Sequence, residues 1–247
     1  MLISFSKRFL FIANTKTAST TIERNLRRHA DISISATRLG KHMSYSQVLK
    51  NFKFVFRKSG AAADEYFRFG VIREPVDWVV SWYNYRHRDQ LMSNSAKMKK
   101  STHGITFEEF VFEMMKPANR GKFAHIGNQL AKFTANDGSL GVDYLIPLSR
   151  VETELQIIAT ELGIKKAFPK EKKSANASPR VIGVNDVTPE IASKLRTYFA
   201  EDLDTFHRAE SGAFGDPREI IRAKRKEQKP FLQEKETGSD DSPLFLV

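Results

Sequence analysis

The feature that most constrains this chain is a run of aromatic and branched residues, Arg8-Phe9-Leu10-Phe11-Ile12-Ala13, that passes directly into the polar loop Asn14-Thr15-Lys16-Thr17-Ala18-Ser19-Thr20-Thr21. A strand with one face in water alternates apolar and polar residues, whereas an unbroken apolar run suits a strand covered on both faces. After the loop, Ile22 and Leu26 stand at helical spacing among charged residues, which predicts a helix from Thr20 to His29. The unit is strand, loop, helix, the usual opening of a nucleotide-binding α/β domain.

The same order recurs. Strands are expected at Asp31–Ala36 and Phe67–Ile72, the second running into Arg73-Glu74-Pro75 and a helix from Val76 to about Tyr85, with proline in its first turn. Tyr144–Pro147 reads as a brief strand, followed by a helix over Val151–Leu162 that Gly163 stops. The fold class expected is α/β, a single domain with a central parallel β-sheet flanked by helices. Shorter helices are expected at Phe107–Met115 and Ala124–Phe133, and one long helix from Thr188 to His207 carrying Ile191, Leu195, Phe199, Leu203 and Phe206 on one face. Ser93–Gly104 is polar and lysine-rich and reads as a mobile loop or lid. The domain is expected over residues 1–211, with 212–247 a basic helix and then a disordered tail from about Gln228.

The 247 residues include no cysteine, which excludes a disulfide framework, a thiolate zinc site and a cysteine nucleophile. No stretch approaches the roughly 20 apolar residues of a membrane span. In Met1–Arg8 the charges follow the apolar residues, the wrong order for a secretory signal, so a cytosolic protein is expected. The formal charge of +11 favours a polyanionic partner: nucleic acid, an anionic glycan, or a small ligand with several phosphates. Part of that excess, in Lys170–Lys173 and Arg222–Lys226, also suits plain solvated surface.

A loop between a buried strand and a helix aims backbone N–H groups and the positive end of the helix at one point, where an anion is favoured. Lys16 adds a full charge there, Thr17, Ser19, Thr20 and Thr21 add hydroxyls, and small Ala18 allows close approach. An ordinary strand-to-helix turn with a hydroxyl cap would use the same residue types. The Gly-x-x-x-x-Gly-Lys-Ser/Thr pattern of nucleoside-triphosphate enzymes is missing, so magnesium is not implied. A second set follows Phe67–Ile72: Arg73 at the strand end and Ser81 in the next helix could clamp another phosphate, or Arg73 could serve a structural ion pair.

Taken together, Lys16-Thr17-Ala18-Ser19-Thr20 and Arg73-Glu74-Pro75 with Ser81-Trp82-Tyr83 resemble the PAPS-dependent sulfotransferase superfamily, in its carbohydrate-type, sulfotransferase family 2-like branch. That superfamily reads Pro-Lys-Thr-Gly/Ala-Ser-Thr/Ser at the first motif and Arg-Asp/Glu-Pro then Ser-x-Tyr at the second; Thr15 stands here where proline is usual. Val142–Glu152 and Asn176-Ala177-Ser178 extend the resemblance weakly. It implies a P-loop-kinase-like fold and transfer of a sulfuryl group from 3′-phosphoadenosine-5′-phosphosulfate (PAPS) to a hydroxyl acceptor, a glycan or glycoconjugate, leaving the 3′,5′-bisphosphate PAP and needing no metal. Lys16, Thr17, Ala18, Ser19, Thr20 and Thr21 would bind the 5′ phosphosulfate, and Arg73 and Ser81 the 3′ phosphate. The rival readings are an ATP-dependent kinase-like enzyme and a basic nucleic-acid-binding module. Against the latter, the aromatic residues Trp78, Trp82, Tyr83 and Tyr85 recur at helical spacing and read mostly as core.

Such a transfer needs a base for the incoming hydroxyl. His29 and His207 close helices, where a cation suits the dipole, and read as structural. Gly40-Lys41-His42 lies in an edge loop after a strand and resembles the setting of the histidine base in carbohydrate sulfotransferases, so His42 is the expected catalytic base beside Lys16. His87, His103 and His125 stay open, and Glu74 and Glu152 are weaker alternatives.

Overall fold

The computed structural model describes residues 1–35, 40–58, 61–164 and 180–227. Lys170–Lys173, Asn176–Ser178, the last residue of the expected Asp31–Ala36 strand and everything from Gln228 lie outside the described residues. The chain forms one mixed α/β domain, and among the described residues its sheet has five strands in the order β3-β1-β2-β4-β5. The strands are β1 (Leu2–Ser4), β2 (Phe9–Ile12), β3 (Ile32–Ser33), β4 (Phe67–Ile72) and β5 (Tyr144–Pro147). The helices are α1 (Ser19–Leu26), α2 (Tyr45–Lys58), α3 (Pro75–Arg86), α4 (Ser95–Met98), α5 (Phe107–Met115), α6 (Val151–Glu161), α7 (Pro189–Tyr198), α8 (Ala200–Glu210) and α9 (Pro217–Glu227).

The parallel centre is β2, β4 and β5, with Phe9 opposite Phe67 and Phe69 opposite Tyr144. The other two strands correct the expectation of a parallel sheet: β1 pairs antiparallel with β2, and β3 antiparallel with β1. Only Phe5–Arg8 connects β1 to β2, too few residues for a crossover, so the strands must run in opposite directions. β1 itself was not expected, and of the strand expected at Asp31–Ala36 only Ile32–Ser33 pairs.

The continuous apolar run of β2 divides with period two. Phe9 and Phe11 join Phe67, Phe69, Val71, Ile22, Leu26, Leu155 and Ile158 on the face covered by α1 and α6. Leu10 and Ile12 join Val48, Phe52, Tyr66 and Phe133 on the face covered by α2. A third cluster holds α3, α5 and α7 together through Trp78, Val79, Phe110 and Leu195. The basic segment beyond Ser211 forms α9, which docks on the sheet through Ile221, 2 % exposed.

Two helical expectations are corrected, and the loop expected at Ser93–Gly104 carries structure. Ala124–Phe133 is not a helix but two short turns of 3-10 type, Lys122–Ala124 and Leu130–Lys132. Gly127 interrupts the segment at a helix cost of about 1 kcal/mol relative to alanine. The carboxylate of Asp202, from α8, takes the N–H groups of Gln129 and Leu130 at 2.8 and 2.9 Å. The long helix from Thr188 breaks at Phe199 (φ −108°, ψ 37°), so that Leu195 packs against α3 while Asp202 turns towards Gln129. The polar segment Ser93–Gly104 contains α4 and folds back on α3: Thr102 is buried, its N–H donating to the Arg86 carbonyl at 3.0 Å and its hydroxyl to the Tyr83 carbonyl at 3.1 Å.

Candidate active site

In a parallel pair the segments leaving the two carboxyl ends emerge side by side, about 4.8 Å apart. β2 and β4 are such a pair, so Asn14–Thr21 and Arg73–Ser81 share one edge of the sheet. Between them lies a cleft of about 820 Å³, and every site residue expected from the sequence lines it: Lys16, Thr17, Ala18, Ser19, Thr20, Thr21, His42, Arg73 and Ser81. Asp77, Ser81 and Tyr85 reach it from one face of α3 at helical spacing.

The backbone turns left-handed at Lys16 (φ 61°) and Ala18 (φ 54°). Each such non-glycine residue costs of order 1 kcal/mol, and alternating hands of this kind turn successive N–H groups to one side. Ala18 is the residue before α1, and no side chain caps the helix there; the Thr21 N–H donates to the Ala18 carbonyl at 3.0 Å, which leaves the N–H groups of Ser19 and Thr20, both lining the cleft, for an anion. Thr15, where proline is usual in the resembling motif, is held by hydrogen bonds instead: its N–H donates to Asn14 Oδ1 at 2.7 Å and its carbonyl accepts from Trp78 Nε1 at 2.9 Å. Proline has no N–H for the first of these. The Thr17 hydroxyl donates to the Asn14 carbonyl at 3.2 Å and stabilises the turn itself.

The Lys16 ammonium lies 4.2 Å from the centre of the Tyr85 ring. Burial, and then the charges of Arg88 and Arg73, lower its pKa to about 8. Arg73 is a ligand candidate that is also structural. Its Nε and Nη2 hold both carboxylate oxygens of Asp77 at 2.5 and 2.7 Å, and Nη1 donates to the Lys16 carbonyl at 3.2 Å. The guanidinium therefore ties the second motif to the first.

His42 enters from the loop before α2. Its Nδ1 is 2.8 Å from the Ala13 carbonyl, which can only accept, so Nδ1 carries the hydrogen and Nε2 keeps the lone pair of a base. Burial lowers its pKa despite that carbonyl, which keeps the ring neutral near pH 7. Two lysines hold this loop. Lys132 Nζ donates to the His42 carbonyl at 2.7 Å, and Lys41 Nζ meets Thr20 Oγ1 at 2.9 Å and the buried Glu23 carboxylate at 3.0 Å.

The alternative bases have other work. Glu74 caps α3 by accepting from the Asp77 N–H at 2.9 Å and meets Arg196 at 3.2 Å, and Glu152 is exposed on α6. His87 and His103 stack on one another at 4.1 Å, and neither lines the cleft, nor do His29, His125 and His207. Of the aromatic residues expected in the core, Trp78 and Tyr83 are buried, but Trp82 and Tyr85 line the cleft. Sequence reasoning missed Lys41, Arg88 and Arg180 on the cleft, and Asn84, whose carboxamide holds the 181–182 backbone against α3. It also missed Gln129. Lys41 alone had a signal, its place beside His42.

A model of the sulfotransferase family matches residues 1–209. The chain belongs to the sulfotransferase family. Both motifs and the His42 loop fall inside the matched region, and the family supports sulfuryl transfer to a hydroxyl-bearing acceptor. Searches of curated proteins and of solved structures return no match. Among the described residues no helix is long and apolar enough to cross a membrane.

Proposed function

We propose that this sulfotransferase takes its sulfuryl group from PAPS and delivers it to a hydroxyl of a glycan or glycoconjugate. The observation that carries the donor assignment is the pair of cationic sites at the ends of adjacent parallel strands, one built on Lys16 and the uncapped start of α1, the other on Arg73 and Ser81. A donor with anionic groups on both its 5′ and 3′ sides needs two such sites; a nucleoside triphosphate concentrates its charge on one side. The left-handed turns at Lys16 and Ala18 before α1 support a P-loop-like reading of the fold. Trp82 and Tyr85 line the cleft together with Arg88, Arg180 and Lys41, a mixture of apolar ring edge and polar groups that suits a sugar with its C–H and hydroxyl surfaces, while cations cover ring faces: Lys16 and Arg88 on Tyr85, Arg86 on Trp82.

In this reading the loop 15–21 holds the phosphosulfate through N–H groups and hydroxyls, and Arg73 and Ser81 hold the 3′ phosphate. His42 Nε2 takes the proton of the acceptor hydroxyl as its oxygen bonds to sulfur. The bond from sulfur to the 5′-phosphate oxygen breaks, and the Lys16 ammonium neutralises the charge that develops on that oxygen. PAP and the sulfated acceptor are the products, so charge and atoms balance without a further reagent.

Thermal unfolding with PAP, with ATP and magnesium, and with single-stranded DNA tests the donor assignment. PAP at a hundred times its Kd stabilises by about 2.7 kcal/mol, and the other two leave the transition near its starting point. Stabilisation by ATP with magnesium and none by PAP would overturn it. Transfer of labelled sulfuryl from PAPS to a panel of desulfated glycans and small alcohols then tests the acceptor class.

A further inference from the structure

We propose that Gln129 is a positioning residue that locks the two anion-binding loops at a fixed separation, so that one ligand with two anionic ends engages both. The proposal rests on the two-site reading above, and its test is arranged to fail separately from that reading.

Gln129 is fully buried, and a buried carboxamide is costly unless its donors and acceptor are matched. Its Oε1 accepts from Asn14 Nδ2 at 3.2 Å and from the Arg73 N–H at 3.0 Å, and its Nε2 donates to the Arg73 carbonyl at 2.7 Å. Asn14 opens the loop after β2, and Arg73 opens the segment after β4. One side chain thus bridges the two chain segments where the β2–β4 ladder has ended, and where backbone pairing no longer sets their distance.

The bridge is itself anchored. Asp202 holds the backbone of Gln129 and Leu130, and the Phe133 ring lies against Gly70 of β4, where a Cβ would stand 2.3 Å from ring carbon Cε1. The missing side chain at position 70 lets the 128–133 turn approach the strand ends closely enough for Gln129 to reach both loops. Asn14 completes the tie by donating to the Val71 carbonyl at 3.3 Å.

Only glutamine meets these demands at this reach. Glutamate cannot donate to the Arg73 carbonyl and would set a negative charge behind two anion sites. Asparagine is one methylene shorter. An apolar residue of equal length leaves the Asn14 amide and both Arg73 backbone groups without this partner. Fixing the distance between two subsites turns the second contact into an intramolecular one, so the gain appears in ligands that span both sites.

The experiment measures the affinity of adenosine 3′,5′-bisphosphate, adenosine 5′-phosphate and adenosine 3′-phosphate for the full-length protein and for Gln129→Met. The quantity read is the advantage of the bisphosphate over each monophosphate. It should fall about tenfold or more in Gln129→Met, with each monophosphate weakened by less than about threefold. Equal weakening of all three ligands, or an unchanged advantage, would overturn the proposal, because a merely structural residue moves all three together. Should Gln129→Met lose its cooperative unfolding transition, the same comparison on Asp202→Asn, which loosens the turn but keeps the Gln129 side chain, decides by the same criterion. A wild-type protein with no preference for the bisphosphate would refute the two-site donor reading itself, whatever Gln129 does.

Discussion

Raising the pH should weaken donor binding through Lys16. The ammonium is held over the Tyr85 ring at 4.2 Å, and burial with Arg88 and Arg73 brings its pKa to about 8. A cation with a lowered pKa keeps its charge below that value and loses it as pH rises through it. If only the charged form binds, apparent Kd scales as one plus ten to the power pH minus pKa. The factor is about 1.1 at pH 7 and about 11 at pH 9, a tenfold loss of affinity. Titration calorimetry with PAP suits the measurement, since its phosphates have second pKa values near 6 and are about nine-tenths fully charged by pH 7, so they add little proton change above it. Lys16→Arg should flatten the curve, because a guanidinium stays charged throughout this range. Wild-type affinity that holds constant from pH 7 to pH 9, or a fall retained in Lys16→Arg, would refute the argument.

His42→Ala should lower kcat by about 10²- to 10⁴-fold with little change in PAP affinity, measured by steady-state turnover beside calorimetry. On the acid side the wild-type kcat should rise with pH through a break below the ordinary histidine value of 6.5, because burial lowers the His42 pKa and only the neutral ring accepts a proton. A break well above that value would point to another base. Ile221→Ala should destabilise the whole domain by about 2–5 kcal/mol, and at this size each kcal/mol lowers Tm by about 2–4 °C. An unchanged melting curve would mean that α9 rides on the domain rather than holding it together.

Much of the site was legible because its chemistry is local. Lys16 to Thr21 follow an unbroken apolar strand, Arg73 ends another, and Ser81 lies in the helix after it; run length and helical period place these residues without knowledge of the partners they meet, whereas Trp82 and Tyr85, read as core, line the cleft. The sheet was harder to read. β1 is three residues long and pairs with β2 only because the Phe5–Arg8 connection is short, and β3 pairs over just two residues. Gln129 gave no signal, since a glutamine among apolar residues reads as the polar side of a helix. Its role exists only because Gly70 admits Phe133 and Asp202 reaches across from α8.

By itself, then, the sequence determined the residue types offered to a ligand and the strand-loop-helix units that carry them, because strand and helix periods are properties of neighbouring residues. The tertiary structure decided how those units meet: the antiparallel edge of the sheet, the Arg73–Asp77 pair tied back to Lys16, the His42 ring set by the Ala13 carbonyl, and the bridge at Gln129. Hydrogen bonds between distant segments, and the burial that shifts Lys16 and His42, depend on which surfaces come together, and no local pattern encodes that.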